Sequence, residues 1–267
     1  MADSSAALPD RSSAHGRRTA ASHADFFRPY LSSGMSLLDV GCGPGSITIG
    51  LAAAVAPGQV IGIDRNQDVL AKAKRNSADE GVDNLSLQQG DATVLPFRDG
   101  CFDAVFIHAV LQHLPEPALA VREAARVLKP GGVIGLRDAD HDGSLIYPND
   151  ERLLESLRVM TELRERRGTS PRVGKQLRQL LVAAGLEDVV GSAVATCDAT
   201  PTATAVAAQD ILSYWRSDAF LKQVEEAGLS TAEEAAGFMQ AWADWARNPG
   251  AFWVRLWCEA VGRRPLN

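Results

Sequence analysis

The feature that most constrains this chain is a regular alternation of short apolar runs with helix-length segments between residues 36 and 138. The apolar runs lie at Ser36–Val40, Gln59–Asp64, Leu85–Gln89, Phe102–Ile107 and Val133–Leu136. Helical patterns occupy Ser46–Val55, Gln67–Glu80 and Glu116–Leu128. Strands separated by helices of this length are joined by crossover connections, which make neighbouring strands parallel. The pattern therefore predicts an α/β fold with a doubly wound, mostly parallel sheet that helices cover on both faces.

Beyond Asp138 the alternation gives way to longer helical patterns. These lie at Asn149–Arg167, Val173–Ala184, Thr202–Trp215 and Ser230–Trp245, with strand-like segments at Leu186–Ala195 and Ala251–Gly262. The two added strands would complete a seven-stranded sheet, and Phe26–Leu31 is expected to form a leading helix. We predict one domain over 21–267, with a core at about 36–138 and a helical cap mainly at 144–185 and 202–247. Residues 1–20 are expected to be a disordered tail.

Composition and charge exclude several classes of protein. The chain carries 27 Lys and Arg residues against 33 Asp and Glu residues, a net charge of −6. Proteins that bind duplex nucleic acid normally present a basic face instead. No charge-free apolar run approaches the length of a membrane span, the four cysteines lack a CxxC pair, and the amino terminus has no secretory signal pattern. We therefore predict a cytoplasmic protein with neither a nucleic-acid nor a membrane partner.

A glycine-rich turn follows the first apolar run, which ends at Asp39 and Val40. Gly41, Gly43 and Gly45 alternate there with other residues, and glycines let a backbone pass close to a ligand. Ligands of open parallel sheets bind at the carboxyl ends of the strands, where this turn lies. The spacing is neither the GxGxxG of a dinucleotide site nor a Walker-type phosphate loop. A tight turn with no ligand is the structural alternative.

Acidic residues follow the second and third runs. Asp64 closes the second run. At this sequence spacing from the glycines, an acid can accept hydrogen bonds from both hydroxyls of a ribose. Asp91 follows the third run and could accept a bond from an exocyclic adenine amine. The alternatives are a helix N-cap for Asp64 and a turn for Asp91.

Five ordered motifs complete the pattern: LDVGCGPG, GID, GDA-x3-PF, FD-x-V and LKPGG. In this order and spacing they resemble the class I S-adenosylmethionine-dependent methyltransferases, and most of all their ubiquinone/menaquinone-biosynthesis-like small-molecule branch. The resemblance covers about Thr19 to Pro148. It implies a Rossmann-like sheet around a cofactor core and an enzyme that methylates a small molecule, converting S-adenosyl-L-methionine to S-adenosyl-L-homocysteine.

The resemblance also implies roles for individual cofactor-binding residues. The methionine end of the cofactor would meet Gly41, Gly43, Gly45, Asp39 and His108. The ribose would be held by Asp64, and the adenine would meet Arg65, Asp91 and the Ala92 N–H. No metal ligand is expected.

Candidate catalytic and acceptor-binding residues follow the fourth and fifth runs. If the acceptor is a hydroxyl or an ammonium, a base must remove its proton. The candidates are His108 and His141, the latter oriented by Asp138 or Asp140. Further contacts to the acceptor are predicted from His113, Arg137, Asp140, Tyr147 and Trp215. The structural alternatives are that the acids cap the next helix and that the aromatic residues of the cap form its core.

The acceptor itself is not specified by these residues. O- or N-methylation of a small molecule, for instance a secondary metabolite, is favoured, and C-methylation of a quinone-like substrate is the alternative. The segment after the fourth run, IHAVLQHLP, lacks the NPPY-type motif of enzymes that methylate bases. A protein or nucleic-acid methyltransferase, a non-catalytic cofactor-binding module and an NAD-dependent oxidoreductase are weaker alternatives. The chain is expected to be a monomer or a homodimer.

Overall fold

A computed structural model describes residues 18–266. Seven strands form one sheet in the order β3-β2-β1-β4-β5-β7-β6. They are β1 Leu37–Val40, β2 Val60–Asp64, β3 Leu85–Gln89, β4 Phe102–His108, β5 Leu128–Tyr147, β6 Glu187–Asp198 and β7 Phe252–Arg263. The pairs β2–β3, β1–β2, β1–β4 and β4–β5 are parallel. The predicted α/β fold with a seven-stranded, mostly parallel sheet is therefore confirmed.

Helices connect these strands, and most of them begin after a residue whose side chain caps the backbone. They are α1 Ala20–His23, α2 Thr48–Val55, α3 Gln67–Asp79, α4 Pro117–Val127, α5 Glu151–Arg166, α6 Leu177–Ala183, α7 Pro201–Trp215, α8 Asp218–Glu226 and α9 Ala232–Arg247. The side chains of Asn66 and Asp150 accept backbone N–H groups at the starts of α3 and α5. Thr231 and Glu234 form a reciprocal capping box at α9. None of the described helices is long and apolar enough to cross a membrane.

The chain divides into two compact units. The core unit contains residues 18–139, Arg172–Val194 and 257–266, and the cap unit contains Asp140–Pro171 and Ala195–Leu256. The core unit buries apolar side chains of its central strands together with Val173, Leu177 and Leu181 of the α6 region. Helix α6, which lies within the predicted cap range 144–185, packs within the core unit.

The cap unit has an aromatic interior of its own. Trp215 and Trp242 are fully buried, and Phe220, Phe238 and Trp245 are nearly so. Rings meet edge to face, as for Trp215 and Phe238, whose centroids are 4.9 Å apart. Such contacts stabilise the packing beyond the burial of area alone. The structural alternative for these aromatic residues, a role in the core, therefore holds for most of them.

Three local predictions were wrong, and one lies largely outside the described residues. The fifth strand continues to Tyr147, so the polar segment after Leu136 is part of β5. Phe26–Leu31 contains only a 3-10 turn, Arg28–Tyr30, in which Pro29 has no N–H for an α-helical hydrogen bond; Phe27 stacks on Phe106 at 5.5 Å. Helix α8 was missed, although Ser217 caps it and Phe220 and Val224 have helical spacing. Most of the predicted tail, 1–20, falls outside the described residues, and α1 begins at Ala20.

Candidate cofactor and acceptor sites

The turn after β1 has a backbone conformation that favours glycine at each of its three glycine positions. Gly41, Gly43 and Gly45 have φ values of 74°, 55° and 79°, in the left-handed region that L side chains avoid. The N–H groups of Gly41 and Cys42 donate to the Ile63 carbonyl at 2.7 and 3.0 Å, which ties the turn to the end of β2. A Cβ atom at Gly43 would meet no atom within 4 Å. The turn is thus rigidly held yet open above Gly43, as a close-fitting ligand requires.

The Asp64 carboxylate lies at the centre of this turn. One oxygen accepts the Gly43 N–H at 3.0 Å, and the other accepts the Asn66 N–H at 3.0 Å. The side chain of Asn66 caps α3, so the N-cap role considered for Asp64 is filled by its neighbour. A carboxylate has about four lone-pair positions, so Asp64 retains acceptor capacity for a diol.

Asp39 lies beneath the glycine turn. Its side chain is almost fully buried and accepts a hydrogen bond from the Thr48 hydroxyl at 2.6 Å. Burial raises the pKa of the Asp39 carboxyl to about 7, with a smaller contribution from the charge of Asp64 and an opposing effect of the Thr48 hydrogen bond. A cation placed nearby would therefore favour the ionised form.

Arg65, Asp91 and Ala92 come together at the ends of β2 and β3, where Asp64 pairs with Gln89. Asp91 Oδ1 accepts both the N–H and the hydroxyl of Thr93 at 2.7 Å, and these bonds lower the pKa of its carboxyl, with a minor contribution from Arg65. Asp91 is thus a turn residue, as one alternative held, and it is also exposed beside Arg65. Its predicted contact with adenine stays a prediction.

His108, at the end of β4, is buried in a stack of rings. Its imidazole is nearly parallel to the Trp257 indole, with centroids 5.3 Å apart, and meets His23 edge-on at 5.2 Å. Burial, followed by the charges of Arg137 and Arg18, lowers the pKa of His23 to about 4. His23 is therefore uncharged at neutral pH. These contacts hold His108 in a fixed orientation at the carboxyl ends of the strands, where ligands of such folds bind.

Arg137 lies opposite His108 in the register of β4 and β5. Its Nη1 donates to Glu259 Oε1 at 3.0 Å, and its Cζ lies 5.4 Å from the centre of the Trp257 ring. Ser192 donates to the other oxygen of Glu259 at 2.9 Å. Trp257 and Glu259 were not predicted as site residues. Their spacing of two residues in the predicted last strand, which places both on one face, is the signal that could have identified them.

Asp138 and Asp140 are both buried, but they hold different backbone groups. In the core unit, Asp138 accepts the N–H of Gln112 at 3.2 Å and so supports the 3-10 turn, Leu111–His113, that carries the predicted residue His113. In the cap unit, Asp140 accepts the Asp142 N–H at 3.1 Å. Neither acid caps the following helix, because Asp150 does so.

His141 is exposed, and its Nε2 lies 2.9 Å from Arg164 Nη1. A guanidinium only donates hydrogen bonds, so Nε2 is the acceptor of this contact. Asp140 and His141 are consecutive in β5, and strand geometry directs their side chains to opposite faces. This geometry disfavours Asp140 as the group that orients His141.

The predicted aromatic contacts of the cap unit differ in exposure. Tyr147 is 62% exposed, whereas Trp215 is fully buried between Phe220 and Phe238. Only Tyr147 is accessible to a ligand in this conformation. Within residues 18–266 no three His, Cys, Asp or Glu side chains gather in a way that could hold a metal ion.

Comparisons with known proteins agree with this geometry. A family model described as a methyltransferase domain matches residues 31–184. An uncharacterized methyltransferase of Schizosaccharomyces pombe is 36% identical over 171 residues, which are 61% of each chain. A demethylmenaquinone methyltransferase of Lactococcus lactis is 39% identical over 116 residues, 43% of this chain and 46% of that one. The crystal structure of YcgJ from Bacillus subtilis shares the fold, with a TM-score of 0.61 and 21% identity over 90% of this chain and 97% of that one.

The chain spans about half the length of the curated relatives it matches. The family model, by contrast, covers more than half of the chain, including the glycine turn, Asp64, Asp91 and His108. As the ordered motifs predicted, the chain belongs to the methyltransferase-domain family.

Proposed function

We propose that this protein is an enzyme that transfers a methyl group from S-adenosyl-L-methionine to an oxygen or nitrogen atom of a small-molecule acceptor. The observation that carries the proposal is the glycine turn. Three glycines with positive φ lie in a turn at the carboxyl ends of β1 and β2. The Asp64 carboxylate accepts the Gly43 N–H and so holds the turn, and the space next to Gly43 is open. This is the arrangement that a nucleoside-containing ligand of an open sheet requires.

The residues of the core unit suit the separate parts of this cofactor. Gly41, Gly43, Gly45 and Asp39 would hold its methionine end, Asp64 its ribose, and Arg65, Asp91 and the Ala92 N–H its adenine. The buried Asp39 suits the amino group of the cofactor because a nearby cation stabilises its ionised form. When bound, the cofactor supplies a methyl group on a positively charged sulfur that is already activated for transfer.

The protein's own task is then to position the acceptor and exclude water. Orientation of this kind is worth roughly 7–11 kcal/mol of the barrier. His108, fixed by its stack with Trp257, is our proposed base for an acceptor O–H or N–H group. His141 of the cap unit is the second candidate, although its Nε2 is engaged by Arg164. Asp138 of the core unit is the third predicted catalytic residue.

The proposed acceptor contacts are the remaining predicted residues. In the core unit they are His113 and Arg137, and in the cap unit they are Asp140, Tyr147 and Trp215. Tyr147 is the strongest of the cap residues because its side chain is exposed. We further propose that the protein acts in the cytoplasm, as a monomer or a homodimer, on a small molecule rather than on nucleic acid.

C-methylation of a quinone-like acceptor is the second candidate function. It is favoured by the similarity to a relative that is named a demethylmenaquinone methyltransferase. A carbon nucleophile with an acidic neighbouring hydroxyl would require the acceptor to be oriented in the same way as an oxygen or nitrogen nucleophile does. The two candidates differ in the atom that carries the new methyl group.

Calorimetry with S-adenosylhomocysteine tests the proposal. We expect saturable binding to the wild-type chain and at least about tenfold weaker binding to Asp64→Ala, which removes hydrogen bonds to a charged acceptor. Asp83→Ala is the matched control, since this exposed acid precedes β3 at the opposite end of the sheet. Absence of binding to the wild type would refute the proposal. Binding of S-adenosylhomocysteine without methyl transfer to any acceptor of a test panel would favour the alternative of a non-catalytic cofactor-binding module.

A further inference from the structure

Trp253 and Arg255 form a pair on β7 within the cap unit. They are two residues apart, so their side chains share one face of the strand. The Arg255 Cζ lies 4.9 Å from the centre of the Trp253 ring. The guanidinium and the indole are therefore close enough to contact one and the same ligand group.

Both side chains carry a buried N–H group that finds no hydrogen-bond partner among the described residues: Nε1 of Trp253 and Nε of Arg255. Two other indoles of the cap unit are satisfied, since Trp242 donates to Ser156 Oγ at 2.8 Å and Trp245 donates to the Tyr147 carbonyl at 2.9 Å, whereas the Nε1 of the fully buried Trp215 also finds no partner among the described residues. Buried donors are normally paired, and leaving them unpaired is costly. Two such donors on one pair of neighbouring side chains indicate a place for an acceptor atom.

The local charge limits which acceptor atom fits. Arg255 Nη2 lies 2.5 Å from Asp198 Oδ2, so the guanidinium charge is already balanced. A carboxylate ligand would add a second negative charge beside Asp198, whereas a carbonyl oxygen would not. The Arg255 side chain is 43% exposed, so the pair lies at the periphery of the cap unit. The Trp253 ring packs at a tilt of 53° against the Trp242 ring, with centroids 5.3 Å apart. An aromatic wall beside two donors suits a flat ligand.

We propose that Trp253 Nε1 and Arg255 Nε form a subsite that binds the carbonyl oxygen of a planar, uncharged ligand such as an aryl ketone, quinone or ester. In taking this ligand to be the methyl acceptor, the inference rests on the proposed function. The binding step itself needs neither the cofactor nor methyl transfer. It can therefore be tested separately.

Indole N–H resonances of the full chain provide the test. The chain has five tryptophans, and Trp253→Phe assigns the signal of Trp253 by its loss. Three probes are titrated: acetophenone, ethylbenzene, which lacks the carbonyl, and benzoate, which carries a charge. We expect acetophenone to shift the Trp253 signal saturably, ethylbenzene to leave it in place, and benzoate to bind at least about tenfold more weakly.

Variants of the neighbouring groups sharpen this test. Arg255→Gln should weaken acetophenone binding about tenfold or more, whereas Arg247→Gln, which removes an exposed guanidinium paired with Asp244, should not. If Arg255→Gln fails to fold, Asp198→Asn serves instead, and it should strengthen benzoate binding by removing the repelling charge.

Specific outcomes would overturn the inference. They are a Trp253 signal that acetophenone does not move, a shift of equal size in the folded Arg255→Gln protein, or a signal displaced upfield by a neighbouring ring and insensitive to all probes. Calorimetry with S-adenosylhomocysteine separates the two proposals. A protein that binds acetophenone but not S-adenosylhomocysteine would refute only the proposed function.

Discussion

Arg137 and Glu259 form an ion pair inside the core unit, with Nη1 and Oε1 3.0 Å apart and 4% and 8% of their side chains exposed. Removing two charges from water is costly, and the attraction between them repays that cost only in good geometry. Here Ser192 donates a hydrogen bond to Glu259, and the Trp257 ring lies beside the guanidinium. The ion pair fixes Arg137 next to His108. Its contribution can be measured as a change in the free energy of unfolding.

We predict that Glu259→Leu lowers the free energy of unfolding by about 3–5 kcal/mol, because it leaves the Arg137 charge buried without a partner. The double variant Arg137→Met with Glu259→Leu should recover most of this loss, since no unpaired charge remains. Urea unfolding monitored by circular dichroism measures both values. A double variant as unstable as the single one would contradict this account.

The burial of Asp39 predicts a dependence of stability on pH. Its pKa is about 7 in the folded protein against a usual value of 3.8, so the native state binds the proton more tightly. The contribution of this group is fully present below the unfolded pKa and is lost as the pH rises from about 4 through about 7. Between about pH 4 and pH 7, the unfolding free energy of the wild type should therefore fall with rising pH relative to that of Asp39→Asn.

The same carboxyl should link cofactor binding to proton release. A cationic amino group beside Asp39 would favour its ionised form, so binding of S-adenosylhomocysteine near pH 6.5 should release a proton to the buffer. Calorimetry in buffers of different ionisation enthalpy measures the proton count. Asp39→Asn should bring the count close to zero, and an unchanged count would assign the proton to another group.

His23 predicts a slope of the opposite sign. Its pKa falls from 6.5 to about 4 on folding, chiefly through burial, so the unfolded chain binds the proton more tightly. Its contribution to stability is present above pH 6.5 and is lost as the pH falls toward 4. An NMR titration should place its midpoint near 4. In Arg137→Met the midpoint should rise, because one of the charges that lower it is removed.

The sheet and the cofactor side of the site could be predicted because their signals are local. A strand such as β1 is a short apolar run, and Gly41, Gly43, Gly45 and Asp64 lie in turns whose residue types reflect backbone conformation. The contact of Arg137 with Glu259 joins residues far apart in sequence, and only the strand order brings them together. The extension of β5 was hidden because its residues, such as Asp138 and Asp140, are polar, and burial of charged groups leaves no periodic pattern of apolar residues.

The glycine turn provides the last prediction, because the chain offers a matched control. Gly43 and Gly34 have φ values of 55° and 88°, and a Cβ atom at either position would meet no atom within 4 Å. Alanine at either site should thus cost the backbone a similar ~1–2 kcal/mol for a left-handed conformation. Only at Gly43 would the added methyl group occupy the open space assigned to the cofactor. We expect Gly43→Ala to weaken binding of S-adenosylhomocysteine at least about tenfold relative to Gly34→Ala, although chemical denaturation should find the two variants comparably destabilised. Equal affinities would show that the ligand does not approach Gly43 and would move the cofactor site away from this turn.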